Sequence, residues 1–185
     1  MKLRRECETK TGGKILIRSL TAADAEEMLA VCRKTAGETL HMMRYADEWT
    51  MTPEQQAAAI KRAEDGVKTL MLGAFLCGRL VGVTSLQPVH PGDRARHRAG
   101  VGIAVLRTCW GQGIGSLLLS SLIEAAKTTN LEQLELDVVS DNLPAIRLYQ
   151  KLGFVEYGRR PRTMKYRDGR YSDTLLMMLM LRRDM

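Results

Sequence analysis

Aromatic residues make up only 5% of this 185-residue chain, two Trp, two Phe and five Tyr. Nothing in it matches the ribonucleoprotein-type aromatic motif that an RNA-binding sheet carries, which counts against nucleic acid as a partner. Cysteines are few and unpaired in sequence: Cys7, Cys32, Cys77 and Cys109 are widely spaced, with no Cys-x-x-Cys. His41, His90 and His97 show no metal-ligand spacing. A disulfide framework and a structural zinc site are therefore excluded, no metal is expected, and reduced thiols fit a cytosolic protein. Long apolar runs are absent too. The longest near an end, Leu175 to Leu181, has seven residues and is followed by Arg182 and Arg183, far short of the ~18 that a membrane span needs. Met1-Lys2-Leu3-Arg4-Arg5-Glu6 has basic residues with no apolar segment after them, so no secretory signal is read there. A soluble, cytoplasmic protein without a membrane partner is the expectation.

What is present is ordinary globular composition, 45% hydrophobic and 26% charged. With about 100–200 residues per domain, residues 1–185 are expected to form a single domain, with 1–13 a flexible N-terminal segment. The 28 Lys and Arg against 21 Asp and Glu give a net charge of +7, which favours anionic ligands: phosphorylated cofactors, acidic substrates or nucleic acid. Lys14 to Arg18 reads as a short strand. Thr21 then caps a helix with apolar residues at Ala25, Met28, Leu29, Cys32 and Ala36. Thr52-Pro53-Glu54-Gln55 is a capping box opening a second helix. Thr69 to Leu76 and Leu80 to Leu86 form a hairpin, Gln87 to Arg98 a loop, and Val101 to Leu106 a strand. Gly111 to Thr129 is the clearest helix, with a stripe of Ile114, Leu117, Leu118, Leu122, Ala125 and Ala126. Leu131 to Val139 is a strand, Asn142 to Leu152 a helix, and Asp168-Gly169 turns a final hairpin. The strand–helix–strand unit implies a parallel pair and the hairpins antiparallel neighbours. The fold class is therefore α/β, a mixed sheet with helices on both faces.

The chemistry concentrates at Trp110-Gly111-Gln112-Gly113-Ile114-Gly115-Ser116. A strand ends, a glycine-rich turn follows, and a long helix starts within it. Unpaired N–H groups and the positive dipole end of the helix make an anion site, and glycines let backbone approach a phosphate. A diphosphate suits it. The stretch lacks the Gly-Lys-Ser/Thr ending of a P-loop. A dinucleotide fingerprint would place its glycines near the first strand, but here some 110 residues precede them, leaving too little chain for a doubly wound sheet. A second constellation runs from Asp141-Asn142 to Gly153-Phe154, with Asn142 at the helix start, Gly153 at its end, and Ala145, Leu148, Tyr149 and Leu152 on one face. Alone, Tyr149 reads as a core aromatic with its hydroxyl satisfied.

Together the two segments resemble the GCN5-related N-acetyltransferase (GNAT) superfamily. Trp110-Gly111-Gln112-Gly113-Ile114-Gly115 is similar to its acetyl-CoA-binding motif, Arg/Gln-x-x-Gly-x-Gly/Ala, and Asn142-x-x-Ala145-x-x-x-Tyr149-x-Lys151-Leu152-Gly153-Phe154 to its following motif. The resemblance implies a mostly antiparallel sheet with a central splayed parallel pair, Val101–Leu106 beside Leu131–Val139, holding acetyl-CoA as co-substrate. It implies that backbone near Ile103, Ala104 and Val105 binds the pantetheine and polarises the thioester carbonyl. Amides from Trp110 through Gly111, Gln112, Gly113, Ile114 and Gly115 to Ser116 would hold the pyrophosphate, Asn142 the pantetheine, and Tyr149 would protonate the departing thiolate.

Two departures stand out. Trp110 replaces the usual Arg or Gln, at a position expected to contribute its backbone amide. Gly100 stands where some relatives place a glutamate, so a general base on that strand is missing; Asp137, Glu48 and Glu38 are the candidates elsewhere, with a chain of waters the alternative. Without an obvious base, an α-amine is the more manageable acceptor, giving an amino acid, small metabolite or peptide N-terminus. A non-catalytic acyl-CoA-binding regulator and an acceptor such as aminoacyl-tRNA are the alternatives. The basic run Arg159 to Arg167 reads as a solvated strand face, or as an attractor for an acidic acceptor. Leu175 to Leu181 reads as an edge strand able to pair with a second subunit, and Met177, Met178 and Met180 as packing residues.

Overall fold

Apolar spacing of two residues in strands and three to four in helices sorts the described residues into eight strands and four α-helices. The computed structural model describes residues 2–66 and 68–181; Arg182 and Arg183 lie outside the described residues. In order come β1 (Arg4–Glu8), β2 (Lys14–Ser19), α1 (Ala25–Glu38), α2 (Pro53–Asp65), β3 (Leu70–Leu76), β4 (Arg79–Pro88), β5 (Arg98–Val105), α3 (Ile114–Lys127), β6 (Gln133–Val139), α4 (Leu143–Lys151), β7 (Val155–Lys165) and β8 (Tyr171–Met180). They form one sheet in the order β1-β2-β3-β4-β5-β6-β8-β7. Every pairing is antiparallel except that of β5 with β6. Among the described residues no helix is long and apolar enough to cross a membrane.

Strand alternation gives the sheet two apolar faces. On one, Ile15, Ile17, Leu70, Leu72 and Ala74 join the α3 stripe and Ile146 and Tyr149 of α4. Ile114, Leu118, Leu122 and Ala126, four residues apart, lie against the sheet with at most 1% of their surface exposed. On the other face Phe75, Leu80, Val83 and Ala104 meet Met28, Val31 and Cys32 of α1 and Ile60 of α2. The Thr52–Gln55 capping box forms as its sequence predicts, with the Gln55 N–H donating to Thr52 Oγ1 and the Thr52 N–H to Gln55 Oε1.

Two expectations are corrected. Within the segment 1–13, the described residues 2–13 are not a loose tail: Arg4–Glu8 pairs with β2 over five rungs, and Leu3 and Cys7 pack against the core. Its charged sequence hid a strand because an edge strand needs little apolar surface. Leu175–Leu181 is not an edge either. Strand β8 lies between β6 and β7, the Asp168-Gly169 turn placing the Arg-rich β7 outside. A near-continuous apolar run belongs in the interior of a sheet. Met177 is accordingly fully buried, whereas Met180 is half exposed.

Candidate active site

Strands β5 and β6 start as neighbours and then part. Their parallel register is Arg98↔Gln133, Ala99↔Leu134 and Gly100↔Glu135, and it ends there, although β5 runs on to Val105 and β6 to Val139. From Val101 to Val105, including Ile103, Ala104 and Val105, the β6-facing edge of β5 has no strand partner. Unpaired strand backbone offers N–H and C=O groups to a ligand that lies along it.

At the open end of this gap the chain leaves β5 through a 3₁₀ turn, Arg107–Cys109, and enters α3. Gly111 and Gly113 take the left-handed conformation, with φ of 77° and 84°, which glycine adopts without penalty. Among the described residues, none of the six backbone N–H groups of Gly111, Gln112, Gly113, Ile114, Gly115 and Ser116 meets a protein acceptor. Six free donors at the positive end of a 14-residue helix form an anion cradle. Gly115 is small for packing reasons, since a Cβ there would lie 3.1 Å from Leu148 Cδ2 of α4. Trp110 differs from its neighbours. Its amide closes the turn onto the Arg107 carbonyl at 3.1 Å, so it is not a free donor. Its indole N–H instead donates to the Val105 carbonyl at 2.7 Å, bracing the loop against β5. The Gln112 side chain braces it likewise, donating to the Thr108 carbonyl.

Helix α4 faces the gap from β6. Asn142 Oδ1 accepts the Ala145 N–H and caps the helix, which leaves its Nδ2 group without a protein partner among the described residues. The Tyr149 ring is buried edge-on to Phe154, centroids 5.9 Å apart. Burial pushes the Tyr149 phenol up to about 12. Its hydroxyl has no protein partner among the described residues, yet it is not sealed in, because Trp49 Nε1 is the one wholly buried side-chain polar atom left unpaired there.

The carboxylates proposed from sequence as bases are all engaged. Asp137 accepts from Arg160 at 2.7 Å, Glu38 from the Arg107 N–H at 2.8 Å, and Glu48 from the Tyr45 N–H at 2.7 Å. A Cβ on Gly100 would meet only the Gln87 carbonyl, at 3.8 Å, so open space lies beside the last β5–β6 rung. The residue that faces that space was not singled out from the sequence. Glu135, opposite Gly100, is buried, gripped through both oxygens by Arg98, and accepts from Gln133 Nε2. Its signal was only the alternation Gln133-Leu134-Glu135-Leu136-Asp137, which every half-buried strand shows.

The segment between α1 and α2 straps this region. Besides the Glu38–Arg107 bond, His41 Nε2 lies 3.2 Å from Asp141 Oδ1 at the end of β6. Arg167, in the β7–β8 turn, donates its N–H to the Tyr45 hydroxyl and its guanidinium to both Asp47 oxygens. Beside these ties lies an open depression of about 530 Å³ lined in part by Gly37, Glu38, Thr39, Tyr45, Asp47 and Arg167. The other cations of the basic run are held as well. Arg160 pairs with Asp137, Arg159 lies 3.7 Å from Asp173, and Arg162 and Lys165 stack on Tyr171.

Comparison with known proteins agrees with this geometry. The model of the acetyltransferase (GNAT) family matches residues 34–154, which hold both parting strands, the glycine loop and α4. The L-methionine sulfoximine/L-methionine sulfone acetyltransferase of Pseudomonas aeruginosa is 28% identical over 169 residues, 89% of this chain and 94% of that protein. The L-amino acid N-acetyltransferase AaaT of Escherichia coli is 33% identical over 113 residues, 60% of this chain and 67% of its own length. A solved GNAT-family acetyltransferase from Streptococcus pneumoniae superposes with a TM-score of 0.86 at 30% identity, covering 90% of this chain and 98% of that one. With the family match spanning about two thirds of the sequence and the same fold throughout, the chain belongs to the GNAT family of N-acetyltransferases.

Proposed function

We propose that this enzyme transfers an acetyl group from acetyl-CoA to the α-amine of an amino acid, small metabolite or peptide N-terminus, by direct attack within a ternary complex. The observation that carries the cofactor assignment is the gap itself, an unpaired β5 edge leading into six free amides. That is a track of amide-binding backbone ending in a diphosphate cradle. In this reading Gly111 to Ser116 hold the diphosphate, and Ile103, Ala104 and Val105 hold the pantetheine, which Asn142 Nδ2 also contacts. Trp110 contributes as a brace. Acetyl-CoA supplies the activated acyl group. Backbone N–H groups aimed at the thioester oxygen favour the charge that builds there, and the Tyr149 hydroxyl donates to the sulfur as it leaves. The new N–C bond replaces the C–S bond, and the amine's proton leaves through water beside Gly100.

The acceptor follows from the missing base and from the relatives. An α-amine ordinarily titrates near 7.7–8.0 and a lysine-type amine near 10.4. Neutralising the latter at pH 7 therefore costs about 3 kcal/mol more, which a site with no carboxylate at Gly100 is poorly equipped to offset. The relatives from Pseudomonas aeruginosa and Escherichia coli are named for amino-acid acceptors, which carry such amines. Free L-lysine, which has both nitrogens, is the direct test. Tandem mass spectrometry of the product should locate the acetyl group on Nα, and acetylation confined to Nε would refute the α-amine assignment.

A further inference from the structure

The β1–β2 hairpin does more than extend the sheet: its turn is docked on the glycine loop. The Lys10 N–H donates to the Gln112 carbonyl at 2.9 Å. The Lys10 side chain then lies across Gly113, its Cγ, Cδ and Cε at 3.1, 3.6 and 3.6 Å from where a Cβ on that glycine would sit. The ammonium is one bond beyond Cε, at the loop carrying the six free amides. Among the described residues no carboxylate pairs with Lys10, and its side chain is exposed. Its placement is fixed from behind. Thr9, buried, donates its N–H to the Gly13 carbonyl and accepts the Gly12 and Gly13 N–H groups through its carbonyl and Oγ1. Arg5 ties the same hairpin to Glu124 further along α3 at 2.8 Å.

We infer that Lys10 is a cofactor-binding residue, its ammonium contacting the diphosphate of CoA from the side opposite the α3 amides. This rests on the reading of the cleft as a CoA site. The chemistry is that of a compact cation beside a phosphate already cradled by backbone donors. It gives the N-terminal hairpin a role in the site and suits the glycine at position 113, whose left-handed backbone disfavours a side chain and over which the Lys10 stem lies closely.

The test is calorimetric titration of the wild type, Lys10→Met (which keeps the apolar stem) and Lys10→Arg with CoA and with 3′-dephospho-CoA. Lys10→Met should weaken both ligands about tenfold, the size of a partly exposed charge-assisted bond, with the melting temperature unchanged. Lys10→Arg should retain most of the affinity. Undiminished binding by Lys10→Met alongside normal wild-type binding would overturn this inference alone. A loss seen with CoA and absent with 3′-dephospho-CoA would overturn the diphosphate assignment. Wild-type protein that binds neither ligand would overturn the reading of the cleft and this inference with it.

Discussion

Replacing Tyr149 by Phe removes one oxygen from a ring that is otherwise held by packing. The ring stacks edge-on with Phe154, and the hydroxyl makes no bond within the described residues, so Tyr149→Phe should leave the melting temperature within a few degrees of wild type. Its effect on catalysis can be sized. The buried phenol lies at about 12, whereas a thiol lies near 8.5. Full proton transfer to the departing sulfur is thus uphill by about 3.5 units, or about 5 kcal/mol. The hydroxyl therefore serves by donating a hydrogen bond to a sulfur that is becoming anionic. Such a bond is worth about 1.5–3 kcal/mol, which predicts a fall in kcat of about 10–150-fold. Steady-state thiol release at saturating acetyl-CoA and acceptor reads this directly. KM for acetyl-CoA should stay near wild type, and the wild-type rate should show no limb from this residue below pH 10. A kcat unchanged within twofold would refute the assignment, as would a loss confined to KM.

Asp24 is pushed up by burial, but its bonds to Arg18 and Thr21 outweigh that and hold its carboxyl below the ordinary carboxylate range. A depressed folded pKa contributes stability that is present above the unfolded value near 3.8 and lost as pH falls through the folded one. Asp24→Asn should therefore cost about 1–2 kcal/mol in urea melts at pH 7, where it takes the carboxylate partner from a partly buried Arg18, and the gap from wild type should narrow in acid. Thiol labelling of the native protein should modify exposed Cys77 first, while Cys32, pushed up to about 11 by burial, stays protected until unfolding; equal labelling rates for the two would contradict the packing of α1. Arg167→Ala removes the guanidinium pair with Asp47 and its stacking on Tyr45, leaving the β7–β8 turn tied to the α1–α2 segment by the backbone N–H bond to Tyr45, so KM for the acceptor should rise several-fold with KM for acetyl-CoA unchanged. The reverse pattern would place the strap on the cofactor side.

The glycine loop and α4 were legible because their signals are local. A strand ending in glycines ahead of a helical stripe, and an Asn cap three residues before an apolar face, fix conformation within a dozen residues. The parallel pairing of β5 with β6 followed from the strand–helix–strand order. The N-terminal strand was not legible, since Arg4-Arg5-Glu6-Cys7-Glu8 has no apolar alternation and is held by β2 and α3. The inner place of β8 was available from composition, its apolar run contrasting with the arginines of β7, but hairpin order depends on which strand meets β6. Trp110 misled because a backbone role was carried onto a residue whose amide is engaged in its own turn. Glu135 and the Arg167–Asp47 tie, the latter joining residues 120 apart, depend on tertiary register that no local spacing encodes.

The central claim, that the gap between β5 and β6 delivers an acetyl group to an amine, is tested most directly by thiol release. Acetyl-CoA would be offered with amino acids, dipeptides, polyamines and lysine-containing peptides, and product masses checked. The account predicts amine-dependent release with an α-amine acetylated. Tight CoA binding with no release for any amine would contradict it and leave a cofactor-binding protein without transfer chemistry.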